Sequence, residues 1–207
     1  MSLLIYVSIR HSKAMGKVSS TTQKAPLERI LSKLRSNRIG DIINNKSVLD
    51  FGCGTNAWTA CVMSSRARLV HGVDASIPGI TTLANGVELY NCLDQLPLSD
   101  YEVITAMAVF EHINPFELID ILKQLHELSS PSAIIFGTMP TPYARHILEF
   151  LSFKLRLIDS NQIRDHFVYY DDLWFKHILS LTPWRLERYS IFQLGVNSQF
   201  ILSKRHH

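Results

Sequence analysis

The chain has 207 residues, 46% of them hydrophobic and 19% charged, with a formal net charge of +3. That length is one domain with ample material for a core, and the small positive excess gives no argument for a nucleic-acid partner. Its three cysteines, Cys53, Cys61 and Cys92, form no C-x-x-C pair, which argues against a zinc knuckle or a disulfide framework and for a reduced, cytoplasmic protein.

Residues 1–25 show little periodicity and read as a flexible N-terminal arm. The apolar run Leu3 to Val7 follows no basic residue and is too short to span a bilayer, so no integral membrane segment is expected. From Pro26 a single domain runs to residue 207. Leu27, Ile30, Leu31 and Leu34 recur at helical spacing, which predicts a helix packed beside a sheet.

The most informative stretch is Ser47 to Ala57, SVLDFGCGTNA. It reads as a strand, a tight glycine turn at Gly52 and Gly54, and the start of a helix near Asn56. Glycine lets the backbone turn sharply and approach a ligand closely. A second strand, Leu69 to Val73, ends in Asp74. An acid at that place, about 20 residues past the glycines, is where nucleotide-type α/β folds bind ribose hydroxyls.

Further strands are predicted at Val87–Tyr90, Tyr101–Met107 and Ser132–Gly137. Asn114-Pro115 is a helix cap and first turn, with Leu118, Ile121, Leu122 and Leu125 on one face of the helix that follows. Residues 143–158 carry a basic, apolar helical pattern, and Asp171 to Leu181 another helix. The chain closes with Trp184–Phe192, a glycine turn and Gln199–Ser203, an antiparallel hairpin. Strand and helix alternate throughout, so the expected fold class is α/β, a Rossmann-like doubly wound, mostly parallel sheet with a C-terminal antiparallel hairpin.

Gly52, Gly54 and Ala57 satisfy the G-x-G-x-x-G/A spacing of a dinucleotide site. Asp50, two residues earlier, would repel a phosphate and instead suits a ligand carrying positive charge. The run VLDFGCGT resembles the first motif of class I methyltransferases dependent on S-adenosyl-L-methionine (SAM), D-x-G-x-G. GVDAS resembles their second motif, and CLDQLPLSDYEVITAMAVFEHI the third and fourth, in the small-molecule, type 11-like branch. The resemblance covers about residues 26–203. It implies SAM as cofactor, with Asp50, Gly52 and Gly54 at its methionine end, and Asp74 and Ala75 at the ribose. It further places Cys92 and Leu93 at the adenine and counts Met107 among the cofactor contacts. Two departures stand out, Asn56 where a third glycine is common and Cys92 where an acid is usual, with Asp94 two residues later.

Methyl transfer is catalysed chiefly by alignment, sometimes with a base that takes a proton from the acceptor. Glu111 and His112 follow the fourth predicted strand at its carboxyl end, where open α/β sheets bind ligands. His112 is the candidate base, with Glu111, Arg164, His166 and Tyr169 as acceptor contacts. A packed or capping role for His112 stays open. No metal is implied. The expected partner is a small or carrier-linked acceptor, sugar-, lipid- or quinone-like, methylated at oxygen. The alternatives are an NAD-dependent oxidoreductase and a catalytically silent SAM-binding interaction protein. Oligomeric state is not legible in the sequence.

Overall fold

In the computed structural model, residues 39–97, 100–143, 171–193 and 195–205 are described. They build a sheet from β1 (Ser47–Phe51), β2 (Leu69–Val73), β3 (Thr81–Thr82), β4 (Glu88–Tyr90), β5 (Tyr101–Met107), β6 (Ser129–Pro140), β7 (Trp184–Phe192) and β8 (Asn197–Lys204). The spatial order is β3-β4-β2-β1-β5-β6-β8-β7.

The chain winds outward from β1 through β2 to β4, all parallel, then returns to the other side of β1 as β5 and continues to β6. Parallel strands buried on both faces need near-continuous apolar runs, and Ser47–Asp50 is buried throughout. β8 inserts antiparallel between β6 and β7, the reversal expected of the C-terminal hairpin. The two-residue β3, antiparallel to β4, was not legible in the sequence. β6 is longer at both ends than the apolar run Ser132–Gly137 suggested.

Three helices are described: α1 (Trp58–Met63), α2 (Pro115–Glu127) and α3 (Asp172–Ser180). Asn114 caps α2 by accepting from the amide of Phe116 at 2.9 Å, with Pro115 at the first helical position, as its sequence predicts. Asp171 caps α3 by accepting from Trp174 N at 2.7 Å. Leu118, Leu122 and Leu125 of α2 and Phe175 of α3 pack with Leu49, Ile104 and Phe200 on one face of the sheet. Ala57, Ala60 and Met63 pack with Val48, Val70 and Val103 on the other. The N-terminal arm, the helix expected after Pro26, the basic pattern beyond Tyr143, and the cluster holding Arg164, His166 and Tyr169 all lie outside the described residues.

Candidate functional site

The winding direction reverses between β1 and β5, and a crevice at such a reversal, outside the carboxyl ends of the strands, is where open α/β sheets take their ligands. β1 ends at Phe51 and β5 at Met107. The residues that leave these two ends make the candidate site.

After β1 the chain turns through Gly52, whose amide donates to Val73 O at 2.8 Å and so ties the turn to the end of β2. Gly52 has φ +76°, and a Cβ there would lie 2.4 Å from Val109 Cγ2. Its lack of a side chain is a packing requirement. Gly54 has φ +66°, and nothing lies within 4 Å of where its Cβ would be. Its bare backbone therefore faces open space. The amide of Gly54 donates to Asp74 Oδ2 at 2.9 Å, while Asp74 Oδ1 accepts from the Ser76 amide at 2.9 Å and from the Ser76 hydroxyl. Asp74 thus joins the glycine turn to the end of β2, and its carboxylate oxygens retain lone pairs for further donors. Ala75 beside it is exposed.

The residue that takes the left-handed conformation before α1 is Ala57, φ 40° and ψ 37°, not Asn56. Ala57 is fully buried and Asn56 exposed. The departure at Asn56 therefore asks nothing special of the backbone there, and the cost of the turn falls on a non-glycine residue one position later.

Asp50 lies within the sheet and is 1% exposed. Its Oδ1 accepts from the hydroxyl of Thr105 on β5 at 2.7 Å, while its Oδ2 is buried with no hydrogen bond. Burial pushes the carboxyl up to about 7, and Asp74 adds to this; the Thr105 hydroxyl and the Ala60 amide act in the opposite sense. Burial and then the two acids push the Cys53 thiol up as well, which favours the protonated thiol over the thiolate.

At the end of β5, Met107 is half-buried against the α1 side of the core. Ala108 follows in the left-handed region, φ 59°. A 3-10 turn then spans Phe110–His112. Phe110 is core, stacked on Phe200 with centroids 5.3 Å apart. Glu111 is 2% exposed and His112 is half-buried. After β4, Asn91 Oδ1 is buried with no hydrogen bond. Cys92 and Asp94 are exposed there, whereas the side chain of Leu93 belongs to the core. Sequence reasoning missed Thr105, Val109, Ser76 and Asn91. The hydroxyl of Ser76 two residues past Asp74 was the one local signal available for any of them. Among the described residues, no group of three or more His, Cys, Asp or Glu side chains is placed to hold a metal ion.

A methyltransferase-domain family matches residues 23–186, and the chain belongs to that family. Its fold is the class I methyltransferase fold, and SAM is the cofactor. Solved structures agree in architecture. One is a SAM-dependent methyltransferase from Archaeoglobus fulgidus, 17% identical, TM-score 0.58, covering 86% of this chain and 94% of that one. Another, from Mesorhizobium loti, is 12% identical with TM-score 0.58 and covers 82% and 95%. A third is magnesium protoporphyrin IX methyltransferase from Synechocystis PCC 6803 with bound S-adenosylhomocysteine (SAH), 14% identical, TM-score 0.57, covering 92% and 90%. No curated protein matches the chain. Among the described residues, no helix is long and apolar enough to cross a membrane.

Proposed function

We propose that this chain moves the methyl group of SAM to an oxygen of a small or carrier-linked acceptor, sugar-, lipid- or quinone-like, with the cofactor lying across the carboxyl ends of β1, β2 and β4. The observation that carries this reading is the buried Oδ2 of Asp50, with no hydrogen bond, on β1, the strand that leads into the glycine turn where Gly54 faces open space. A buried carboxylate oxygen without a donor is costly, and a ligand ammonium would satisfy it. SAM supplies a methyl group activated by a positively charged sulfur.

Asp50, with the turn at Gly52 and Gly54, holds the methionine end. Asp74 accepts from the ribose hydroxyls, with Ala75 alongside. The segment at Cys92 and Leu93 borders the adenine, through the backbone at Leu93 because its side chain is in the core. Asn91 Oδ1 offers an additional acceptor there. Met107 bounds the site on the β5 side.

His112 takes the acceptor proton, and its position after β5 places it on the same edge as the glycine turn. Glu111, beside it in the same turn, is an acceptor contact. Arg164, His166 and Tyr169 complete the acceptor contacts. The free thiols of Cys53, Cys61 and Cys92 suit a reducing compartment such as the cytoplasm.

The test is a methylation assay with labelled SAM against hydroxyl-bearing sugar, lipid and quinone acceptors. Label should appear on oxygen of one class. Label on nitrogen or carbon, with none on oxygen, would replace the proposed acceptor atom.

A further inference from the structure

The feature that cofactor contact alone leaves unexplained is that the acid facing the ligand is so deeply buried. Asp50 is flanked in the sheet by Gly72 of β2 and Thr105 of β5, and a fully buried acid without a cation favours its proton. β5 brings the Thr105 hydroxyl to bear on it, α1 the Ala60 amide, and the end of β2 the Asp74 carboxylate. The turn brings Cys53, itself influenced by Asp74 and Cys61. None of these is a cation, and Asp74 opposes a second negative charge.

We infer that cofactor binding is proton-coupled at Asp50, and that Thr105 is the positioning residue which sets the pH at which the site becomes receptive. The inference rests on the reading that Asp50 meets the ligand ammonium. In the free protein the carboxyl holds its proton in about half of the molecules near pH 7 and in most of them at lower pH. When the ammonium arrives, the Asp50 O–H bond breaks, the proton leaves to solvent, and a carboxylate–ammonium pair remains. No other bond changes. Thr105 is fully buried, and its hydroxyl donates to Oδ1, which leaves Oδ2 as the oxygen that meets the ligand. That donated bond also favours the charged form.

A ligand that binds the carboxylate binds more weakly wherever the free protein holds a proton there. With Asp50 raised to about 7, SAH should bind about tenfold more weakly at pH 6 than at pH 8, and about half a proton should be released per SAH at pH 7.

The experiment is isothermal titration of the full chain with SAH from pH 6 to 9, in buffers of differing ionisation enthalpy to count protons. Thr105→Val should move the rise in affinity to higher pH, weakening binding several-fold at pH 7 yet converging on wild type by pH 9, and Thr105→Ser should restore the wild-type profile. Asp50→Asn should remove the pH slope, which separates Asp50 from histidines titrating nearby. Equal affinity from pH 6 to 8 with no proton released would overturn the inference, and this wild-type measurement needs no variant to fold. Uniform weakening of Thr105→Val at every pH would reduce Thr105 to a structural role. If Asp50→Asn weakens SAH while wild type shows no slope, the contact stands and the coupling fails. If Asp50→Asn binds SAH as wild type does, the contact itself is wrong.

Discussion

The Thr105 hydroxyl donates to Asp50 Oδ1 at 2.7 Å, joining two residues 55 positions apart. They sit on β1 and β5, the two strands between which the direction of winding reverses. The bond ties the two strands together at that reversal and fixes which carboxylate oxygen remains available. Burying Asp50 carries a stability cost that the bond offsets only in part.

Asp50 is raised from an ordinary 3.8 to about 7, chiefly by burial. A group with a raised folded pKa contributes its stability below the unfolded value and loses it as pH rises through the folded one. The ligand-free protein is therefore destabilised by Asp50 ionisation across roughly pH 4–7. Asp50→Asn should raise the unfolding free energy at pH 8 by on the order of 1–4 kcal/mol, with less than half that gain at pH 5. Denaturant unfolding of the ligand-free protein at both pH values checks this. Equal destabilisation at both would show that Asp50 is held there by bonds that favour its charge.

The two turn glycines should separate stability from binding. Gly52→Ala meets both a left-handed backbone and Val109, and should cost about 2–4 kcal/mol of folding stability. Gly54→Ala meets only the backbone penalty, about 1–2 kcal/mol, but places its methyl in the space assigned to the cofactor. Its SAH affinity should fall by tenfold or more. Thermal unfolding and SAH titration of the two variants give opposite orders if this is right, with Gly52→Ala worse in folding and Gly54→Ala worse in binding.

Much of this architecture was legible in the sequence because its signals are local. The glycine turn, the acid ending β2, the Asn114-Pro115 cap and the closing hairpin each announce themselves within a few residues. Thr105 could not be found that way, because its bond to Asp50 depends on the register between β1 and β5. Ala57 was hidden for a different reason. The turn needs a left-handed residue just before α1, and the sequence offered Asn56, the more permissive type, one position too early. Leu93 sat in an expected adenine loop, yet a leucine follows the core when the core is within reach.

A buried polar cluster away from the site should make a contribution of the opposite sign to stability as pH falls. His71 Nδ1 pairs with Tyr101 Oη at 2.7 Å, and Tyr90 Oη donates to Glu88 at 2.6 Å. His71 Nε2 lies 3.5 Å from the same Glu88 oxygen. Burial lowers the His71 pKa, and Glu88 opposes this only in part. A lowered folded pKa gives stability that is present above the unfolded value near 6.5 and lost as pH falls below it. Relative to His71→Gln, wild type should lose stability from pH 7 to pH 5, as read by denaturant midpoints. An unchanged slope in the variant would mean that other groups set it.

His112→Ala should reduce turnover by about 10²–10⁴-fold if His112 is the base, with SAH affinity within about 0.5 kcal/mol of wild type. The low-pH limb of the rate profile should flatten in the variant. Loss of SAH affinity in step with turnover would place His112 in the cofactor site.

The most direct test of the site is calorimetric titration of the full chain and of Asp74→Ala with SAH, with NAD as the control ligand. Wild type should bind SAH in the micromolar range and give no heat with NAD. Asp74→Ala should bind SAH more weakly by about 1–3 kcal/mol, because the ribose hydroxyls lose a charged acceptor. Unchanged SAH affinity in Asp74→Ala, or tight NAD binding with no SAH signal, would contradict the placement of the cofactor at the ends of β1 and β2.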